Sequence, residues 1–191
     1  MRRRIGPEQR REELIAAAER VLRRLGGQAR VEDVVREAGA AQGTFYTCFR
    51  AWDDLLEALR ERQLAAFEAR LAMPTEVEGP IDWPPLLRRL SVQFVDFVLE
   101  LEGLHEALFH GDFSRNRPMD SQARPPARLA AIIRAGQEAG AFGPVDPDVT
   151  GRLLFAVLHE TADAIEAGAE REIALATLHH LIDATLARPG A

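Results

Sequence analysis

Apolar residues recur three and four positions apart through almost the whole chain, while β-branched alternation is scarce. That period is the α-helix's own and puts one apolar stripe per helix against a core. Leu14, Ala18, Val21, Leu22 and Leu25 make the first stripe, behind Pro7, which suits a helix's first turn. Val31, Val34, Val35 and Ala38 make a second, short one, and Phe45 and Phe49 a third, with Gly26-Gly27 and Gly39 as stops. A longer stripe lies at Leu55, Leu56, Leu59, Phe67 and Leu71. Proline-rich breaks at 73–85 and 114–126 and a turn at 140–147 separate further helices predicted over 86–101, 103–113, 128–139, 148–167 and 170–187. The expected fold is all-α, with about nine helices, no strands and no internal repeat.

Charge is unevenly spread along the 191 residues. All 24 basic residues are arginine; residues 1–50 carry 11 of them against 7 acids, a net of +4, and residues 51–191 carry 13 against 23, a net of −10. A basic head on an acidic body points to a small module facing a polyanion, joined to a different one. No apolar run reaches the roughly 18 residues a membrane span needs, and the charged start Met1-Arg2-Arg3-Arg4 lacks the apolar stretch of a secretory signal. The single cysteine, Cys48, has no internal disulfide partner, which fits a reducing compartment. A cytoplasmic protein is expected.

Residues 31–49 read as a helix, a short glycine-containing turn and a second helix, the outline of a helix-turn-helix, whose second helix enters a major groove. Phe45 and Phe49, four apart, are expected to pack inward, leaving Gln42, Gly43, Thr44, Tyr46, Thr47 and Cys48 outside. Glutamine pairs bidentately with adenine, threonine reaches base edges or phosphates, and a tyrosine hydroxyl suits a phosphate oxygen. Arg30 and Arg50 flank the segment and, with the Arg2–Arg4 arm as a further alternative, are the candidates for a phosphate contact.

Over residues 30–55 the chain resembles the DNA-binding signature of tetracycline-repressor (TetR) family regulators, at Val34, Ala38, Gly39, Gly43, Thr44, Tyr46, Phe49 and Leu55. The helix before it, Glu12 to Leu25, is similar too; the rest matches only in layout. The resemblance implies a helix-turn-helix domain over 1–51 and a larger helical ligand-binding and dimerisation domain over 52–191. It further implies a homodimeric repressor that binds palindromic double-stranded DNA and is released by a small-molecule effector, unidentified by the sequence. Arg30, Ala41 and Ala51 depart from the family's usual Thr, Ser and Ser/Asn/Asp at helix-start positions, each lost cap costing about 0.5–2 kcal/mol. Trp52 stands where the family commonly has a phosphate-contacting lysine.

In the C-terminal part, Trp83, Phe94, Phe97, His105, Phe109, Phe113, Phe155 and His159 are the candidates for lining an effector cavity, mostly apolar with a few polar groups. Leu154, Leu158, Leu178, Leu181 and Ile182, on the last two predicted helices, are the candidates for a two-fold interface, or else close the chain's own core. His105 and His110 are five apart, a spacing that parts two imidazoles by about 140° on an α-helix, so no zinc motif is expected. No G-x-S-x-G and no phosphate-binding glycine loop occurs. Catalysis, a metal and a cofactor are therefore not expected. The alternative is a helical-bundle small-molecule binder or enzyme whose DNA-reading surface has decayed, motivated by the missing caps and Trp52.

Overall fold

The computed structural model describes residues 6–70, 81–110 and 124–188. Their elements are α1 (Pro7–Leu25), α2 (Val31–Glu37), α3 (Gln42–Cys48), α4 (Trp52–Arg70), α5 (Trp83–Leu101), α6 (Gly103–His105), α7 (Arg124–Glu138), α8 (Pro147–Glu166) and α9 (Arg171–Leu186). A 3₁₀ turn, Gly26–Gln28, succeeds α1, and a π-helical turn, Glu106–His110, succeeds α6. The described residues thus hold nine α-helices and no strand. Helices α5, α7 and α8 begin before the expected positions because Pro84-Pro85, Pro125-Pro126 and Pro147 lie in their first turns. There a missing N–H leaves no hydrogen bond unmade. Leu71, Phe113 and the Arg2–Arg4 arm lie outside the described residues. Among those residues no helix is long and apolar enough to cross a membrane.

The described residues pack as two compact units. The first takes 6–68 and 101–110, so it extends past the expected functional boundary at residue 51 to include most of α4 and the segment around α6. Its core is built from Leu14, Ala18, Leu22, Val34, Phe45, Leu55, Leu59, Leu104 and Leu108, all at most 1% exposed. Leu25, expected in the first stripe, is exposed: it is the last residue of α1, and Ile15 and Ala17 widen the buried face instead. Buried polar Arg60 and Gln63 join α4's apolar stripe, the former bonded to Glu57 at 2.8 and 2.9 Å.

In the second unit, of residues 69–70, 81–100 and 124–188, α8 packs tightly against α7. Gly151 makes this possible, since a Cβ there would lie 2.8 Å from the Pro126 carbonyl oxygen and 2.9 Å from the Ala130 nitrogen. Arg88–Asp183 and Arg171–Asp96 ion pairs tie α5 to α9. Four of the five residues expected at a two-fold interface, Leu154, Leu158, Leu178 and Ile182, are at most 5% exposed within the single chain. Their stripes close this unit's own core, because α8 and α9 turn those sides toward their neighbours in the same chain. Leu181 is exposed, and with it Val149, Leu153 and Ile173.

Candidate nucleic-acid interface

Helix α3 is held from behind by two phenylalanines. Phe45 is fully buried and Phe49 nearly so, their ring centres 5.6 Å apart. The Arg11 guanidinium lies 5.1 Å from the Phe49 ring centre, a cation–π contact that fixes α1 against the end of α3. The turn from α2 into α3 is a Schellman cap: Ala40 N–H donates to Val35 O and Gly39 N–H to Arg36 O, with Gly39 at φ +60°. Only glycine takes that angle without a Cβ penalty. This cap sets the direction in which α3 leaves α2.

Of the expected DNA-facing set, Arg30, Gln42, Gly43, Tyr46, Thr47 and Arg50 are exposed, and Thr44 and Cys48 are half-buried. The structure brings all eight onto the α2–α3 segment's outer side or its flanks. Tyr46 is 56% exposed, its ring set edge-on against Phe45 at 5.3 Å. Three of the eight have polar groups already engaged. Gln42 Nε2 donates to Glu32 Oε1 at 3.2 Å, Thr47 Oγ1 donates to the Gly43 carbonyl at 3.0 Å, and Arg30 Nη1 donates to the Gly27 and Ala29 carbonyls. Such exposed bonds contribute about 0.5–1.5 kcal/mol each and exchange readily for bonds to a ligand.

The helix starts that lack a capping side chain are supported from inside the helix. Asp33 Oδ2 accepts the Arg30 N–H at 3.1 Å, and Asp54 Oδ2 accepts the Ala51 N–H at 3.2 Å. Each aspartate stands three residues into its helix and supplies the return half of a capping box. Ala41, at the start of α3, has no such support. Glu37 at the end of α2 accepts from Arg20 Nε at 2.7 Å and pairs with Arg24 at 3.5 Å, and the Arg20 hydrogen bond, first among these causes, holds its carboxyl below the ordinary range. Asp33, Asp54, Arg11 and Glu37 were absent from the sequence-derived site. The spacing of an acid three residues after a helix start was the one readable signal, and it marks Asp33 and Asp54 alone.

The expected effector residues fall into two groups. In the second unit Phe94, Phe155 and His159 form a ring cluster, with centroid distances of 5.3 Å for Phe94–Phe155, 5.0 Å for Phe94–His159 and 4.7 Å for Phe155–His159. Phe97 joins at 6.3 Å from Phe94, and Trp83 is half-buried at the start of α5. In the first unit His105 is buried, 5.6 Å from Phe109 and 4.7 Å from His110. The expected divergence of His105 and His110 is overturned: residues 106–110 are π-helical, and i→i+5 is that helix's own repeat. The two imidazoles therefore meet edge to face. They supply two of the three or four protein ligands that a zinc site takes.

No protein-family model and no curated protein sequence matches the chain. Solved structures do. A TetR-family transcriptional regulator from Pectobacterium atrosepticum superposes with a TM-score of 0.71 at 23% identity, covering 98% of this chain and 100% of that one. RolR, solved with its ligand resorcinol, gives 0.70 at 19% identity, over 95% and 89%. The fatty acid degradation regulator FadR from Bacillus halodurans gives 0.67 at 18% identity, over 94% and 96%. At such identities the likeness is one of architecture, and it spans nearly the full length of each protein: the chain has the fold of solved TetR-family transcriptional regulators.

Proposed function

We propose that the chain is a transcriptional repressor that reads double-stranded DNA as a homodimer in the cytoplasm and is released by a small-molecule effector. One observation carries the reading most: α3 offers an outward side of Gln42, Gly43, Thr44, Tyr46 and Thr47 while Phe45 and Phe49 fasten its other side. Residues 1–51 are the reading module, with Gln42 and Thr44 toward base edges and Tyr46, Arg30 and Arg50 toward phosphates. Gly43 has open space around its Cα, so a duplex backbone can come close. Residues 52–191 carry the effector site and the two-fold contact. The Phe94, Phe155 and His159 cluster, with Phe97 and Trp83, is the effector-facing group; RolR's ligand, a small phenol, supports an effector of modest size. The bonds that Asp33 and Asp54 make remove much of the motive for a decayed DNA-reading surface.

The test is a gel-shift titration against duplex fragments recovered by the protein from genomic DNA. Tyr46→Ala is expected to weaken binding at least about tenfold, with helicity and oligomeric state unchanged. An unaltered titration, or no fragment recovered at any salt concentration, counts against the reading.

A further inference from the structure

A half-open cleft of about 670 Å³ lies within the first unit, lined by the 27–32 segment, Tyr46 of α3, the start of α4 and the π-helical turn. That volume is within the range of small-molecule sites. The rings of Tyr46 and Trp52 and the His110 imidazole line it together with three carboxylates, Glu32, Asp53 and Glu106. Its one guanidinium, Arg30, already donates through Nη1 to the carbonyls of Gly27 and Ala29. Among the described residues neither Asp53 nor Glu106 takes part in an ion pair. The cleft's charge balance is therefore negative beside two electron-rich rings, in a unit whose sequence is otherwise rich in arginine.

We propose that this cleft binds an organic cation bearing aromatic or bulky alkyl groups, of the quaternary ammonium or phosphonium kind. Ring faces of tryptophan and tyrosine attract a cation through their quadrupoles, and this gain grows as water is excluded. Asp53 and Glu106 supply the counter-charge, and the ligand's apolar groups displace water from the rings. The site itself does not depend on the regulator reading; only its consequence does. On that reading an occupied cleft engages Tyr46 and Arg30, so the cation and the duplex draw on the same side chains.

Equilibrium dialysis of the full chain, without DNA, decides the matter with two probes of one shape and opposite charge, tetraphenylphosphonium and tetraphenylborate. Tetraphenylphosphonium is expected to bind saturably with one site per chain, and tetraphenylborate not to bind there. Trp52→Ala and the combined Asp53→Asn, Glu106→Gln variant should each weaken the phosphonium at least about tenfold. The near-isosteric carboxamide pair alters no buried packing, and far-UV circular dichroism verifies that both variants fold. Equal binding of the two probes, no saturable binding of the phosphonium, or undiminished binding by the folded carboxamide variant overturns the proposal. Because no duplex is present, each outcome stands apart from whether the chain reads DNA.

Discussion

Glu102 takes φ 52° and ψ −130°, the one positive φ outside glycine among the described residues, although a glycine comes directly after it. The glycine is committed to another purpose. A Cβ on Gly103 would lie 3.0 Å from the Leu22 carbonyl oxygen and 3.2 Å from that of Arg23, where α6 starts against the end of α1. Close approach takes the residue without a side chain, and the preceding residue absorbs the unfavourable angle. Such angles cost on the order of 1–3 kcal/mol for a residue with a Cβ. Glu102→Gly is therefore expected to raise stability by about 1 kcal/mol, after the greater freedom glycine brings to the unfolded chain. Its exposed contact with Arg23, at 3.9 Å, contributes little. Urea unfolding checks this: the midpoint should move up with its slope unchanged, and a lower midpoint would contradict the account.

At the scale of elements, α1 and α2 are joined over the protein surface by Glu37, which faces Arg20 and Arg24 on α1. Its carboxyl is held below the ordinary range when folded, so the unfolded chain binds this proton more readily than the folded one does. The stability this provides is complete above the ordinary carboxylate range and is lost as pH falls through the lowered folded value. Glu37→Gln should thus be less stable than the parent near neutral pH, and the difference should close as pH falls from neutral through and below the ordinary carboxylate range, and shrink in high salt. Unfolding curves for both proteins across that window measure it; a gap that widens in acid would show the wrong sign. The α2 and α4 starts were partly legible in sequence, since Asp33 and Asp54 stand where a capping box puts its acid. The π-helical turn was not, because five residues of ordinary helical composition carry no mark of an i→i+5 repeat, and the meeting of His105 and His110 depends on it.

At the scale of the whole molecule, α9 is apolar on two sides. Leu175, Leu178, Ile182 and Leu186 are buried in the chain, while Ile173 and Leu181 stand exposed with Ala176 and Ala184 on the same outer side. Val149 and Leu153 are likewise exposed on α8. Exposed apolar side chains on a helix whose other apolar side is already buried call for a cover, and a two-fold copy covers these in the proposed homodimer. The combined Ile173→Glu, Leu181→Glu variant is expected to sediment as a folded monomer and to lose duplex binding, which needs two half-sites roughly 34–36 Å apart. Leu178→Ala should instead cost about 2–5 kcal/mol of stability and leave association in place while the chain is folded. Unchanged mass for the charged pair in sedimentation equilibrium would remove this surface from the interface.

The sequence alone determined the features that local rules govern: helical period, proline and glycine boundaries, and the division of α3 into a buried Phe45/Phe49 side and an exposed Gln42–Tyr46 side. Each depends on residues within one or two turns of one another. Tertiary structure alone decided which stripe of α8 and α9 closes the chain's own core, how Asp53, Glu106, Tyr46 and Trp52 come to line one cleft, and why Glu102 bears the strain that Gly103 leaves to it. Those outcomes join segments tens of residues apart, and periodicity records that a face is apolar without recording what covers it.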